Sequence, residues 1–422
     1  MSKPTSFVRL RQPDDVDDPL TEVLRAGARR LLVGAVELEA EAFLTSMQEM
    51  RLSDGRSRLV RHGHGPERQI QTGIGPVPVA RVKIRDRAAG AGEARIRFSS
   101  TILPKWARRS RSLDALLPVL YLRGVSTGDF QEALSALLGK DAPNLSASVV
   151  GRLTAEWQAD YERWQQRDLS TRRYVYVWAD GVYLQARMED QAECMLVLIG
   201  ATPEGRKELV GFQVGVRESA QSWRELLIDV KRRGLTAAPE IAVGDGALGF
   251  WKAVDEIYPG ARQQRCWVHK TANVLNKVPK SIQAAMKMDL RESHAAPTRS
   301  AAERALDVFA DKYGTKYARA VECLIKDREA LLAFYDMPAE HWDHLRTSNP
   351  IESVFATVRH RTVRTKGSLS STTARLMVFK LTLAASKTWR RLKGESQLPK
   401  VIRGVIFCDG VEVTETPDQR AA

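Results

Sequence analysis

Three acidic residues set far apart in the chain, Asp180, Asp245 and Glu352, stand where phosphodiester chemistry could use them. Breaking a phosphodiester without a covalent protein intermediate requires an activated water or 3′-hydroxyl, an in-line approach and neutralised charge at the phosphate. Two divalent ions roughly 3.5–4 Å apart meet all three needs, and carboxylates hold such ions. Asp180 and Asp245 each precede a glycine, in Ala179-Asp180-Gly181 and Gly244-Asp245-Gly246, at the expected end of an apolar strand. Glycine there is expected to let the backbone turn sharply and leave the carboxylate open. One such Asp is an ordinary turn residue; two, on strands expected side by side, favour a metal site. Glu352 has a competing role, because it falls at about the third position of a helix, where an acid faces the helix dipole.

The elements that must position these acids can be read from hydrophobic patterning. Residues 1–19 carry the run Pro13-Asp14-Asp15-Val16-Asp17-Asp18-Pro19 and are expected to form a disordered acidic tail. An N-terminal helical segment is expected over 20–60, with Leu20, Val23, Leu24, Leu31, Leu32, Phe43 and Leu44 at helical spacing before a basic linker from Arg51. A small β element follows over 61–103. Residues 104–170 read as short helices with tight turns, broken at Gly124 and Gly139 and capped by Ser126 and Ser146. That pattern suits a helix-turn-helix DNA reader with Arg108, Arg109 and Arg111 on phosphates, and it equally suits any small helical bundle.

From Arg173 the pattern changes. Tyr174 to Trp178, Ala192 to Gly200 and Glu208 to Val214 predict three strands in an antiparallel meander. A helix over Ala220–Arg233, a strand over Glu240–Val243, a helix over Leu248–Ile257, a strand over Gln264–Trp267 and a helix from His269 follow. This order is that of an RNase H-like core, placed at 171–279 and 346–392, in which acids leave the sheet at strand ends. Residues 280–345 are helical and charged, an expected all-α insertion. Asn349 then suits an N-cap and Pro350 the first helical position, which opens the helix bearing Glu352 and the basic Arg359, Arg361, Arg364 and Lys366. Such basic residues either grip phosphate or solvate a surface helix. Residues 393–422 are expected to be a polar, mobile tail.

Composition sets the outer limits. The 422 residues suffice for two or three domains, and Lys plus Arg exceed Asp plus Glu by 65 to 51, a net charge of +14. That excess suits a polyanionic partner, nucleic acid above all, though a solvated basic surface has the same balance. Four cysteines scattered without a CxxC pair argue against a disulfide framework and against a four-ligand zinc site. No apolar run is long enough to span a bilayer and the first residues hold no apolar secretory segment, so a cytoplasmic, nucleoid-associated protein is expected. Neither GxxxxGK[ST] nor GxGxxG occurs, so no nucleotide cofactor is indicated.

Five motifs in order join these observations: Val177-Trp178-Ala179-Asp180-Gly181-Val182-Tyr183, Val243-Gly244-Asp245-Gly246, Gln264-Arg265-Cys266-Trp267-Val268-His269, Ser348-Asn349-Pro350-Ile351-Glu352 and, upstream, Leu122-Arg123-Gly124-Val125-Ser126-Thr127. Over roughly residues 60–390 the chain resembles the mutator-type bacterial insertion-sequence transposases, a DDE family. The resemblance implies a catalytic triad of Asp180, Asp245 and Glu352 holding two Mg²⁺ or Mn²⁺ ions. It implies cleavage at the element's ends by water, attack of the freed 3′-hydroxyl on target DNA, and a homodimer or higher assembly on double-stranded DNA. The family's Cys-x-x-His signature is present as Cys266 and His269, expected to support the structure or the substrate. A zinc reading of the pair lacks ligands, with His294 the nearest further candidate. A nuclease of the same fold without strand transfer, or a catalytically silent DNA-binding derivative, are the alternatives; the intact triad argues against the second.

Overall fold

The computed structural model describes residues 19–73, 75–88, 95–103, 105, 107–110, 120, 147–184, 193–215, 218–246, 248–352, 355 and 371–413. The chain divides into two compact units, up to Leu153 and from Thr154.

In the first unit, α1 (Pro19–Ser46) is followed by four short strands, β1 (Leu59–His64), β2 (Arg68–Thr72), β3 (Gly75–Val79) and β4 (Val82–Asp86). β1 pairs with β4 and β2 with β3, both antiparallel. Their core holds Val36 and Ala40 of α1 with Ile70, Val77, Val79, Val82 and Leu103. The apolar stripe expected to be buried on α1 is only half used: Leu20, Val23, Leu24 and Leu31 are exposed. The β element is small and covers only the later turns of a 28-residue helix. β1 also lies where a linker was expected. Residues 107–110, read as helical, are extended instead, with Arg109 bridged to Gln71. The amide of Gln71 donates to the Arg108 carbonyl and that of Ser110 to the Gln71 carbonyl, so β2 captures this stretch as a partner.

The second unit is mixed α/β. The division falls inside α2 (Ala147–Gln165), which is followed by β5 (Tyr176–Leu184), β6 (Glu193–Ala201), β7 (Lys207–Gly215), α3 (Ala220–Arg232), β8 (Ile241–Gly244), α4 (Leu248–Ile257) and β9 (Arg262–Arg265). The five strands form one sheet in the order β7-β6-β5-β8-β9. The first three are an antiparallel meander, and β5–β8 and β8–β9 pair in parallel. Strands covered on both faces need continuous apolar runs, and Cys194 to Ile199 and Ile241 to Val243 are at most 2% exposed. One face packs Val177, Ala179, Leu196 and Leu198 against Trp223 and Leu226 of α3 and Phe250 of α4. The other takes Tyr176 and Trp178, which bond to His341 and to the His344 carbonyl.

After β9 come α5 (Trp267–Leu275), α6 (Lys280–Ala295), α7 (Arg299–Ile325), α8 (Arg328–Leu332) and α9 (Trp342–Leu345), then α10 (Ser371–Ser386). The segment from 393, expected to be a mobile tail, is folded as far as 413. It forms α11 (Leu398–Ile402) and a hairpin of β10 (Phe407–Cys408) and β11 (Val411–Glu412). Leu398, Val401 and Phe407 are buried, and Gly410 exchanges backbone bonds with Tyr335 and Ala339. Three apolar anchors spaced among polar residues, together with these backbone bonds and the Lys400–Glu412 ion pair, hold it in place.

The joint between sheet and helices is polar and buried. Lys270 of α5 has no exposed surface and donates to the Cys323 carbonyl and to Asp327, which also pairs with Arg265 at 3.1 Å. Trp267 and Gln264 both donate to the Leu331 carbonyl. Removing one partner of such a pair strands a buried charge and costs about 3–5 kcal/mol. Asp327→Ala should lower stability to urea by that order, and Asp327→Leu combined with Lys270→Met should recover most of the loss. An unchanged denaturation midpoint for Asp327→Ala would show that water already reaches Lys270.

Candidate active site

The parallel register of β5 and β8 ends at Ala179 opposite Gly244, so the next residues on the two strands are Asp180 and Asp245. The Asp pair is therefore set by backbone pairing. Asp180 is not at the end of its own strand, contrary to expectation: β5 continues against β6 through Asp180–Val197 and Gly181–Leu196 to Leu184. Only the parallel neighbour stops, because the antiparallel hairpin partner extends further than β8. Gly181 accordingly makes no turn. Gly246 does, with φ +94°, and a Cβ there would lie 1.7 Å from the guanidinium of Arg265, which donates to the Gly246 carbonyl.

Asp180 is only 7% exposed, and its one hydrogen bond among the described residues comes from the Gly181 amide at 2.9 Å. Burial pushes its carboxyl up to about 7; the charges of Asp245 and Glu352 push the same way, while His269 opposes them.

Glu352 lies on a helical turn that begins at Asn349. The amides of Ile351 and Glu352 bond to the Ser348 carbonyl, so Ser348 rather than Asn349 is the N-cap. Ser348 is fully buried and acts as a hub. Its amide donates to Cys266 Sγ at 3.3 Å, and its hydroxyl lies 3.4 Å from that sulfur, 3.1 Å from Glu352 Oε1 and 3.3 Å from His269 Nδ1. One hydroxyl proton is thus shared between a sulfur and a carboxylate.

His269 Nδ1 is 3.9 Å from Glu352 Oε1. Its bond to Cys266 raises the imidazole to about 9, against the opposing effect of burial, and Asp180 and Asp245 add to the rise. Burial would raise the Cys266 thiol, but hydrogen bonds with His269 and Ser348 outweigh it and bring the thiol below its ordinary value.

Among the described residues, Cys266, His269 and Glu352 are the one group of three or more whose ligating atoms all lie within 4.8 Å of one another. Asp180, Asp245 and Glu352 do not form such a group. Three donors are one short of a four-ligand zinc site, and His294 instead packs tilted against Trp267, ring centroids 5.5 Å apart. Beside Asn349 a cavity of about 710 Å³ opens, lined by α5 and by Lys287, Arg291 and His294 of α6. Of the basic residues singled out for DNA, Arg108 is exposed and Arg109 is held in the bridge to Gln71. Arg111, Arg359, Arg361, Arg364 and Lys366 lie outside the described residues.

One acid near the site has no mark in the sequence. Glu218 stands just before Ser219, the N-cap of α3, and its carboxyl is pushed up to about 7 by burial and by the charges of Asp245 and Asp180.

The raised carboxyl of Asp180 carries a stability consequence. The native state holds this proton more tightly than the unfolded chain, so stability falls as pH rises from about 4 to about 7. Asp180→Asn removes that fall. In chelator it should be no more stable than the parent at pH 4 and more stable at pH 8, by up to about 4 kcal/mol. Equal urea midpoints for the two proteins at pH 8 would contradict it.

Comparison with known proteins shows the family. Residues 3–391 match the model of the Mutator family of transposases. The chain is 50% identical over 301 residues to the transposase of insertion sequence element IST2 from Acidithiobacillus ferrooxidans, covering 69% of this chain and 99% of that one. It is 47% identical over 298 residues to the transposase of IS6120 from Mycolicibacterium smegmatis, covering 71% and 92%. The transposase of IS256 in transposon Tn4001 from Staphylococcus aureus is more distant, 27% identical over 70% of this chain and 73% of its own. With nearly the whole chain matched, it belongs to the Mutator family of transposases.

Proposed function

We propose that this transposase cuts DNA at the ends of an insertion element and joins the freed 3′-hydroxyls to target DNA, with Asp180, Asp245 and Glu352 as its catalytic acids. The observation that carries the reading is the register step that sets Asp180 beside Asp245, with the charge of Glu352 acting on the same buried carboxyl. An RNase H-like core is supported by the strand order β7-β6-β5-β8-β9 with β8 and β9 parallel to β5. An all-α insertion is supported by the run of helices between β9 and Ser348.

The donor set fits hard divalent cations such as Mg²⁺ or Mn²⁺. All three groups are carboxylates, and a carboxylate as buried as Asp180 with a single hydrogen-bond donor among the described residues suits a cation. Ligands spread over two ions stand further apart than ligands round one, which accords with the wider spacing of these three acids. Two such ions, when bound, supply charge neutralisation at the phosphate and activation of the attacking hydroxyl. The protein's own part is placement. The sheet fixes the Asp pair, Ser348 turns the Glu352 carboxylate, and Cys266 keeps His269 positively charged beside the acids. Double-stranded DNA is held at Arg108, Arg109 and Arg111 and along Arg359, Arg361, Arg364 and Lys366, and bringing two ends together calls for a homodimer or larger assembly.

Purified protein incubated with Mg²⁺ or Mn²⁺ and labelled DNA bearing the element's ends should release 3′-hydroxyl ends and then joined products. Joining separates transposition from simple cutting. Asp180→Asn, Asp245→Asn and Glu352→Gln should each reduce cleavage to background while DNA binding persists; cleavage that survives a substitution removes that residue from the triad. Alanine at Arg359, Arg361, Arg364 and Lys366 should weaken binding to all sequences alike, and flatten log K against log salt by about 0.9 per lost contact. An unaltered slope excludes these residues from the DNA contact.

A further inference from the structure

Side chains alternate along β5: Tyr176, Trp178 and Asp180 face one side of the sheet, while Val177, Ala179 and position 181 face α3 and α4. On that second side the missing side chain of Gly181 is replaced by another residue. A Cβ on Gly181 would lie 1.9 Å from Oε1 of Glu218 and under 3 Å from its Cγ and Cδ. The glycine is therefore there for space.

Glu218 is held in this position from both ends. Its amide donates to the Tyr183 hydroxyl of β5 at 3.3 Å, and the next residue, Ser219, caps α3 by accepting from the Ser222 amide. The charges acting on its carboxylate are Asp245, Asp180 and His269, and its near donor is the Cys194 thiol at 4.0 Å. No described Lys or Arg forms an ion pair with it. A glutamate at a strand–helix junction has ready access to water, yet this one is half-buried against two like charges. A second observation, at the neighbouring position on the strand, points to a cation. Asp180 is more than nine-tenths buried and accepts its one hydrogen bond, among the described residues, from the neighbouring Gly181 amide.

We propose that Glu218 is a fourth carboxylate of the metal centre, reaching a divalent ion at Asp180 and Asp245 from the α3 side of the sheet. Glu352, tied to Ser348 and beside His269, serves the opposite, α5 side. The inference rests on the metal-dependent reading above. The Asp pair is then bracketed by two glutamates, one standing just before α3 and one on the helix that begins at Asn349. Gly181 becomes a positioning residue, since any side chain there would push the Glu218 carboxylate away from the pair.

The test uses the full chain and Mn²⁺ alone, followed by electron paramagnetic resonance of free Mn²⁺ at pH 8. Glu218→Gln should weaken Mn²⁺ binding about tenfold or more and raise the Mn²⁺ concentration for half-maximal cleavage by a like factor, with DNA affinity unchanged. Glu218→Asp should fall between. Gly181→Ala, which keeps the acid and displaces it, should reproduce the weakened binding, and it serves as the second variant if Glu218→Gln misfolds. Mn²⁺ affinity equal to the parent in both Glu218→Gln and Gly181→Ala overturns the proposal. If Asp180→Asn loses Mn²⁺ while the Glu218 variants keep it, only the fourth ligand fails. If the parent binds no Mn²⁺, the metal-dependent reading fails with it.

Discussion

Four parallel register pairs between β5 and β8, ending at Ala179 and Gly244, place two acidic side chains at adjacent positions just past the end of β8. Two like unit charges on neighbouring strand positions repel each other, by about 3 kcal/mol for a separation of about 5 Å at an effective dielectric near 20. The backbone cannot relieve this by shifting, because Ile241, Ala242 and Val243 are fully buried and β5 is bonded on both edges. Burying one large apolar side chain is worth about 1.5–3 kcal/mol, so the packing of Trp223, Leu226 and Phe250 beneath the sheet readily outweighs the repulsion. The core holds the two acids side by side despite their mutual repulsion, which the nearby charge of His269 opposes.

The third acid is positioned by a different kind of force. Glu352 comes from a stretch far along the chain, and its place depends on Ser348, which ties that stretch to Cys266 at the start of α5. The Trp267 amide bonds to the Arg346 carbonyl and Arg346 reaches the His294 carbonyl, so the approach to Ser348 is fastened at several points. Cys266 has no exposed surface, and its sulfur serves as an acceptor between two segments. A network so connected responds as a unit to the loss of any member.

Much of this could be read from residues alone, for a physical reason. Strands buried on both faces need unbroken apolar runs, and the runs through Val177, Leu196, Val210 and Val243 lie on the observed strands. The helix over Leu248–Ile257 coincides with its expected limits, because Gly246 and the turn after Ile257 mark both ends. What patterning does not encode is where a strand stops relative to its neighbours. Asp180 therefore read as a strand end although only β8 ends there, and Gly181 read as a turn although it makes room for Glu218. The Ser348–Cys266 bond and the placement of Glu218 join residues far apart in sequence, which no local pattern can report. At Ser348 the cap moved one residue from Asn349 because the buried serine carbonyl, not the asparagine, receives the first helical amides.

The late part of the chain closes the face of the sheet that carries Asp180. Tyr176 donates its hydroxyl to His341 Nδ1, and His341 Nε2 donates in turn to the Gly394 carbonyl; burial keeps this imidazole neutral, with one nitrogen free to accept. Further on, the Arg299 amide donates to Asp409 and the Gly410 amide to the Tyr335 carbonyl. The Tyr176–His341 relay thus takes its last acceptor from Gly394, a residue distant in sequence from the strand it supports. The face of the sheet that carries Asp180 is completed by residues far along the chain from the strands they cover.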